Sequence, residues 1–196
     1  MPLKLNSSSG GSVTLQEPTT ASNRTITFPD GTGTVAVNGV SSNIVSGTSQ
    51  ASTSGTSIDF TSIPSWVKRI TVMFNGVSTN GASNFQVQLG AGSFTTSGYS
   101  GSLSNEAGSS GAAFSAGFIF QLGGGAGQSV IGVMSITLLT SNTWMETSSV
   151  SDSGATTALR HGNGVIALSG TLDRVRITTV NGTDIFDAGT INIMYE

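Results

Sequence analysis

The stretch VKRITVMFNGV, residues 67–77, places a strongly apolar residue at every second position. These residues are Ile70, Val72 and Phe74. A spacing of two is the side-chain period of a β-strand, whereas an amphipathic helix repeats every 3.6 residues. The stretch therefore predicts a strand with one buried face.

The same alternation returns in three other stretches: NFQVQLG (84–90), DRVRITTV (173–180) and TINIMYE (190–196). Each is predicted to be a half-buried strand. The residues that share the buried phase are Phe85, Val87 and Leu89, then Val175 and Ile177, then Ile191, Ile193 and Tyr195.

Two longer apolar runs, AGFIFQL (116–122) and SVIGVMSITLL (129–139), are rich in Ile, Val, Phe and Thr and predict strands buried on both faces. No window carries a helical apolar stripe, and glycine interrupts every candidate. About eleven short runs bounded by turn residues predict an all-β fold, an antiparallel β-sandwich or jelly roll.

Charge is scarce: Asp, Glu, Lys and Arg make up 9% of the chain, against about 25% in an ordinary globular protein. The net charge of -3 provides no basic cluster for phosphates, so nucleic acid is not an expected partner. Soluble β proteins usually protect edge strands with Lys, Glu or Pro. The scarcity of such residues predicts permanent assembly into a homo-oligomer.

The chain is predicted to divide near residue 45, into a ribbon (1–45), a Ser/Thr/Gly linker or extended crossing strand (46–57) and a C-terminal sandwich domain (58–196). The ribbon contains ITFPDGTGTVAV, residues 26–37, two short strands around a turn. Such short strands cannot bury enough apolar area alone, so they are predicted to form an assembly ribbon. Its apolar residues are Leu3, Leu5, Val13, Leu15, Ile26, Phe28, Val35 and Val37.

The chain has no cysteine, which excludes disulfides and thiolate metal sites. No apolar stretch is long enough for a signal peptide or a membrane span. The protein is therefore expected to be made in the cytoplasm without a signal peptide and without membrane insertion.

His161 is the only histidine, and a Ser-His-Asp arrangement would need Asp152 or Asp173 beside it. Nothing in the spacing groups these residues, and the glycine-rich stretch 122–130 lacks the Lys-Ser/Thr ending of a phosphate loop. The sequence predicts no enzyme activity and no cofactor.

Asn181, Asp184 and Asp187 supply oxygen atoms that Ca²⁺ prefers, but their spacing matches no calcium loop. Asn-Gly and Asp are also ordinary turn residues. No metal site is predicted, with a loop cation as the alternative.

Binding residues are sought in the polar stretches 91–112 and 141–163, because loops on a rigid sandwich commonly carry binding. Tyr and Trp combine an apolar ring with a polar tip, which suits stacking on sugars. The candidates for host-surface binding are Tyr99, Trp144, Arg160 and His161. The alternative for Trp144 is packing in the core or in a seam between protomers.

Three segments carry a resemblance to known proteins. KLNSSSGGSVTLQEPTTASNRTITFPDGTGTVAV (4–37) resembles the N-terminal motif of bacteriophage tail-fibre-like proteins. IDFTSIPSWVKRITVMFNGVSTNGASNFQVQLG (58–90) and AGTINIMYE (188–196) are similar to the distal β domain of such proteins.

The resemblance implies a structural protein of a tailed-phage particle, located in the virion and often trimeric. It would be a short tail or baseplate fibre that joins other virion proteins through its N-terminal segment and contacts a host glycan or protein through its outer domain. A tail fibre usually has a shaft before its tip, and here the motif begins near Met1. A capsid decoration, cement or head-fibre protein is therefore the alternative, and a free lectin-like domain is a third class.

Overall fold

The computed structural model describes residues 3–6, 8–15, 44–105, 112–123, 126–153 and 158–196. Within these ranges the regular structure consists of β-strands, without a helix, and the strands pair antiparallel. The predicted all-β class is confirmed. The chain divides into two compact units, Met1–Val40 and Ser41–Glu196.

The described part of the first unit is a hairpin of β1 (Leu3–Asn6) and β2 (Ser12–Leu15). Leu3 lies opposite Leu15, and Leu5 lies opposite Val13. Four of the predicted ribbon residues thus belong to one hairpin. The stretch 26–37 lies outside the described residues, together with the other four: Ile26, Phe28, Val35 and Val37.

The second unit contains fourteen described strands. They are β3 (Val45–Ser46), β4 (Gln50–Ala51), β5 (Ser57–Thr61), β6 (Arg69–Thr79), β7 (Phe85–Ala91), β8 (Ser93–Phe94), β9 (Ser100–Asn105), β10 (Ala112–Ala113), β11 (Phe118–Gln121), β12 (Ser129–Thr140), β13 (Thr143–Ser153), β14 (Ala158–Ala167), β15 (Arg174–Thr179) and β16 (Phe186–Tyr195). Several are only two residues long, which is why the strands outnumber the eleven predicted runs.

These strands form a large and a small sheet. The large sheet has the order β10-β9-β14-β13-β12-β6-β16-β3, with β4 also paired to β16. The small sheet has the order β11-β7-β15-β5, with β8 paired to β7. The two sheets share one apolar core, in which Phe74 of β6 stacks on Phe120 of β11 with ring centroids 4.2 Å apart.

The alternation predicted for three strands is present. In β6, β15 and β16 the apolar phase is buried, while Arg174 and Arg176 of β15 remain partly exposed. Strand β7 differs from its prediction, because Gln86 and Gln88 are buried as well. Their side-chain amides donate to the Thr179 and Ala116 carbonyls, which offsets part of the cost of burial.

The prediction for the run 129–139 is wrong. This run forms most of β12, and it is buried on one face only. Ile131, Val133 and Leu139 are exposed, because the small sheet covers a single face of the large sheet. By contrast, all four residues of β11 are buried.

Residues 46–57 contribute to the edge of the large sheet. Strands β3 and β4 pair with β16, and the Gly47 N–H donates to the Ile193 carbonyl at 2.8 Å. Ser52 is fully buried, and its hydroxyl donates to the Ala188 carbonyl. This segment therefore lies as extended chain along β16.

Candidate assembly surface

The four residues predicted to bind a host surface do not lie together at the surface. Tyr99, Trp144 and Arg160 are buried, and only His161 is exposed. Trp144 lies in β13, Arg160 lies in β14, and Tyr99 directly precedes β9. Strand alternation points their side chains between the sheets, so the prediction is wrong for these three residues.

Tyr99 links the two sheets. The Leu89 N–H donates to the Tyr99 hydroxyl oxygen at 2.7 Å, and the Tyr99 ring contacts Phe118 edge to face. Burial raises the pKa of Tyr99 to about 12, and the hydrogen bond from Leu89 opposes this rise only in part. Tyr99 is therefore an inner-face packing residue.

Arg160 belongs to a buried polar network with Asp152 and Gln121. Its Nη2 donates to Asp152 Oδ2 at 2.7 Å, and its Nε donates to Gln121 Oε1 at 3.0 Å. Gln121 Nε2 donates to the same Asp152 oxygen at 2.9 Å, which closes the network. Burial would raise the pKa of Asp152, but the hydrogen bonds from Arg160, Gln121 and the Ala158 N–H hold it below its usual value.

Glu146 is a second acid whose side chain points between the two sheets, and it is completely buried. Among the described residues neither carboxyl oxygen of Glu146 has a hydrogen-bond partner. Burial raises the pKa of Glu146 to about 7, and the neighbouring Ser148 hydroxyl opposes this rise only in part. Gly162 leaves room for the Ser148 side chain, since a Cβ there would lie 2.5 Å from Ser148 Oγ.

The outer face of the large sheet carries few charges, in contrast to the side that faces the small sheet. Strands β12, β13 and β14 contain two acids and one arginine, and all three side chains point inward: Glu146, Asp152 and Arg160. The outward positions of these strands hold Ser, Thr, Asn, His161 and apolar side chains.

Strand register brings the outward apolar residues of this face into rows. Ile131 and Leu159 lie on either side of Ser151, and Val133 lies between Met73 and Ser149.

Met145 lies between Thr137 and Val165 in a further row. Ile131, Val133 and Met145 are exposed by 50%, 47% and 46%. We call this outward side of β9, β14, β13, β12, β6 and β16 the large outer face.

The outward side of the small sheet is charged and paired. Arg176 makes two hydrogen bonds to Asp59, at 2.8 and 2.7 Å, and its guanidinium lies 4.0 Å from the centre of the Phe94 ring. Arg174 makes two further hydrogen bonds to Asp173. These pairs make the small outer face a hydrated surface of the usual kind.

His161 and Asp152 do not form the pair that a Ser-His-Asp arrangement would need. The two side chains lie on opposite faces of the large sheet, because Asp152 points inward and His161 points outward. Asp173, the other candidate partner, is bound to Arg174.

The alternative for Asn181, Asp184 and Asp187 is a cation bound in the loop, but these residues do not form a cluster of metal ligands. Asp184 accepts hydrogen bonds from Asn181 Nδ2 and from the Ser83 N–H, which tie the turn to its neighbour. Over the described ranges no group of three or more His, Cys, Asp or Glu residues could hold a metal ion. No helix among them is long and apolar enough to cross a membrane.

No family model matches the chain, and neither a curated protein nor a solved structure was found to be similar to it.

Sequence reasoning missed the large outer face, although a signal was present. In TWMETSSVSDS, residues 143–153, the acids Glu146 and Asp152 share the phase of Trp144 and Val150. A strand that carries its acids in phase with its largest apolar residues leaves the other phase uncharged. That phase holds Met145 and forms part of the large outer face.

Proposed function

We propose that this protein is a structural protein of a tailed bacteriophage particle that assembles with copies of itself through the large outer face. The observation that supports this proposal most strongly is the distribution of charge in β12, β13 and β14, whose charged residues point inward while Ile131, Val133 and Met145 point outward. An apolar side chain gains free energy when it leaves water, so such a face favours contact with protein.

A second copy of the chain is the occupant that this face fits. The central strands β12, β13 and β14 hold no outward acid, lysine or arginine, and Arg69 of β6, beside Thr137 in the row of Met145, is paired with Glu196. These parts of two copies would therefore not repel each other when the faces meet. At about 4.8 Å between strands and about 6.8 Å between outward residues, six strands and four rows cover roughly 800 Å². That area equals the ~800 Å² that each partner contributes to a standard protein interface.

The N-terminal unit supplies the other part of the proposal. Its described hairpin pairs Leu3 with Leu15 and Leu5 with Val13, and Leu5 is exposed. A two-stranded hairpin is marginal alone in water. We therefore assign residues 1–45 to attachment or trimerisation, in line with the tail-fibre resemblance of residues 4–37, and the sandwich to the exterior of the particle as a short tail or baseplate fibre.

Immunogold labelling of intact particles tests this function. An antibody against residues 58–196 is applied to particles from a culture that expresses the chain, and particles that lack its gene serve as the control. Gold at the tail supports the tail-fibre proposal. Gold spread over the head would assign the protein to capsid decoration instead, and no labelling while the purified protein on the same grid is labelled would overturn the virion proposal.

A further inference from the structure

The second unit contains a cleft that the assembly surface does not use. It lies where the edges of the two sheets approach each other, between β3–β4 and β5, and it has a volume of about 470 Å³. Small-molecule sites in proteins commonly have volumes of about 300–1,000 Å³.

The cleft has an apolar floor and polar walls. The floor is formed by Phe60, Ile63 and Ile193, which are buried. The polar walls are formed by Ser46, Thr48, Gln50, Asp59, Thr61 and Ser62. A few polar groups around an apolar floor are the usual composition of a ligand site.

One wall of the cleft is held by backbone hydrogen bonds. The Gly47 N–H donates to the Ile193 carbonyl at 2.8 Å, and the Ser52 N–H donates to the Gly189 carbonyl at 3.0 Å. A Cβ at Gly47 would lie 3.0 Å from Ile193, so glycine permits this close approach. The wall is therefore formed before a ligand arrives, which lowers the entropy cost of binding.

Besides Phe60 of the floor, one aromatic residue lines the cleft, and Trp66 packs against that residue without lining the cleft itself. Tyr195 lines it, and the Trp66 ring lies 5.8 Å from the Tyr195 ring at an angle of 52°. Trp66 is 43% exposed, whereas Trp144, the other tryptophan, is buried. An exposed tryptophan beside a preformed cleft is available to cover the apolar face of a ligand.

The charges of the cleft exclude ionic ligands. None of its lining residues is Lys, Arg or His, so an anion would find no cationic partner there. Its one acid, Asp59, gives both carboxylate oxygens to Arg176, so it has no free charge for a cation. The lining is suited to a neutral ligand with many hydroxyl groups.

An added peptide strand fits less well. A strand that extends the small sheet at β5 would need the outward backbone groups of β5. The Asp59 carbonyl is already bound by Gln50 Nε2 at 2.8 Å. The Gln50 side chain thus bridges the two sheet edges at the point where a peptide would pair.

We propose that this cleft binds a neutral saccharide, with Trp66 and Tyr195 against the sugar ring and Gln50 with the wall hydroxyl groups bonded to its hydroxyls. The proposal rests on the proposed function, since it names the class of host-surface ligand that the outer domain would contact. It moves the binding site from the buried Tyr99, Trp144 and Arg160 to the edge cleft.

The test uses NMR on the full chain with the methyl glycosides of glucose, galactose, mannose, rhamnose and N-acetylglucosamine. We expect at least one glycoside to shift the indole signal of Trp66 saturably and to leave that of Trp144 unchanged. A methyl hexoside has about 13 non-hydrogen atoms, which corresponds to a Kd on the order of 1 mM.

Saturation-transfer NMR, which detects glycoside bound to the protein, is then used to compare the wild type with two variants. Trp66→Ala should weaken binding by about tenfold or more, because a stacked aromatic ring supplies much of such a contact. Val180→Ala removes another exposed apolar side chain that does not line the cleft, and it should bind like the wild type. No response to any of the five glycosides, or equal binding by Trp66→Ala, would overturn the saccharide site.

This failure is distinguishable from failure of the proposed function. A protein that labels the particle and binds no glycoside would retain the structural role and lose the cleft assignment. A protein that binds a glycoside and is absent from particles would be a free sugar-binding domain, which would retain the cleft and overturn the virion role.

Discussion

The two sheets of the sandwich distribute charge in opposite ways. In β15 of the small sheet, Val175 and Ile177 point into the core while Arg174 and Arg176 point outward. In β13 of the large sheet, Glu146 points into the core and Met145 points outward. The proposed self-association accounts for this contrast, because water would cover the small outer face and a second copy would cover the large outer face.

The interior of the large sheet shows two outcomes of burying charge. Asp152 and Arg160 are paired and bonded to Gln121, so their polar groups are largely satisfied. Glu146 has no comparable partner among the described residues. Burial therefore shifts its pKa instead.

The largest effect is expected from charge on the large outer face. In the double variant Val133→Lys and Met145→Lys, each new ammonium would have to leave water when copies associate. Self-association should weaken by about 100-fold or more, since an unpaired buried charge costs several kcal/mol. Light scattering after size exclusion measures the mass. Thr61→Lys on the small outer face is the control and should assemble normally; a double variant that assembles like the wild type would contradict the assigned surface.

The second prediction compares a buried ion pair, Asp152 with Arg160, with a half-buried ion pair on the small outer face, Asp59 with Arg176. Asp152→Ala leaves Arg160 buried without its acid and should lower the free energy of unfolding by about 3–5 kcal/mol. Asp59→Ala removes the acid of a half-buried pair on the small outer face and should cost about 1 kcal/mol or less. Urea unfolding at one fixed protein concentration measures both, and equal losses would show that the two pairs do not differ in burial.

The third expectation concerns Glu146 and pH. Its folded pKa of about 7 lies above the ordinary value of 4.5, so the contribution of protonated Glu146 to stability is fully present below pH 4.5 and is lost as pH rises through about 7. Glu146→Gln cannot ionise, so it should be more stable than the wild type at pH 8 by up to about 3 kcal/mol. The two proteins should converge at pH 4. Parallel unfolding curves across this range would place Glu146 in contact with water.

Period-two patterns predicted the strands whose apolar phase is unambiguous, such as β6 and β15. They failed for β12, because Ile131, Val133 and Met134 form a nearly continuous apolar run that does not show which phase faces the core. The polar residues that surround Tyr99 and Trp144 predict loops at both positions. In the structure, Trp144 lies in a paired strand and the Tyr99 N–H donates to the Ser115 carbonyl, and both rings are buried.

The cleft was beyond sequence reasoning for another reason. Its lining joins residues 46–63 to Ile193 and Tyr195, which only the pairing of β3 and β4 with β16 brings together. Trp66 carries no local pattern that distinguishes it from a core residue. In the structure it is 43% exposed and packs against Tyr195.

Thiol labelling tests most directly whether the large outer face is covered by another copy. The chain has no cysteine, so Ser149→Cys introduces a single thiol between Val133 and His161, and Thr61→Cys introduces one on the small outer face. At a concentration where the protein is assembled, maleimide should label Ser149→Cys about tenfold or more slowly than Thr61→Cys, because thiol reactivity follows exposure. Equal labelling rates of the two variants in the assembled protein would contradict the account, and so would a wild type that keeps the mass of the 19.8 kDa chain at every concentration.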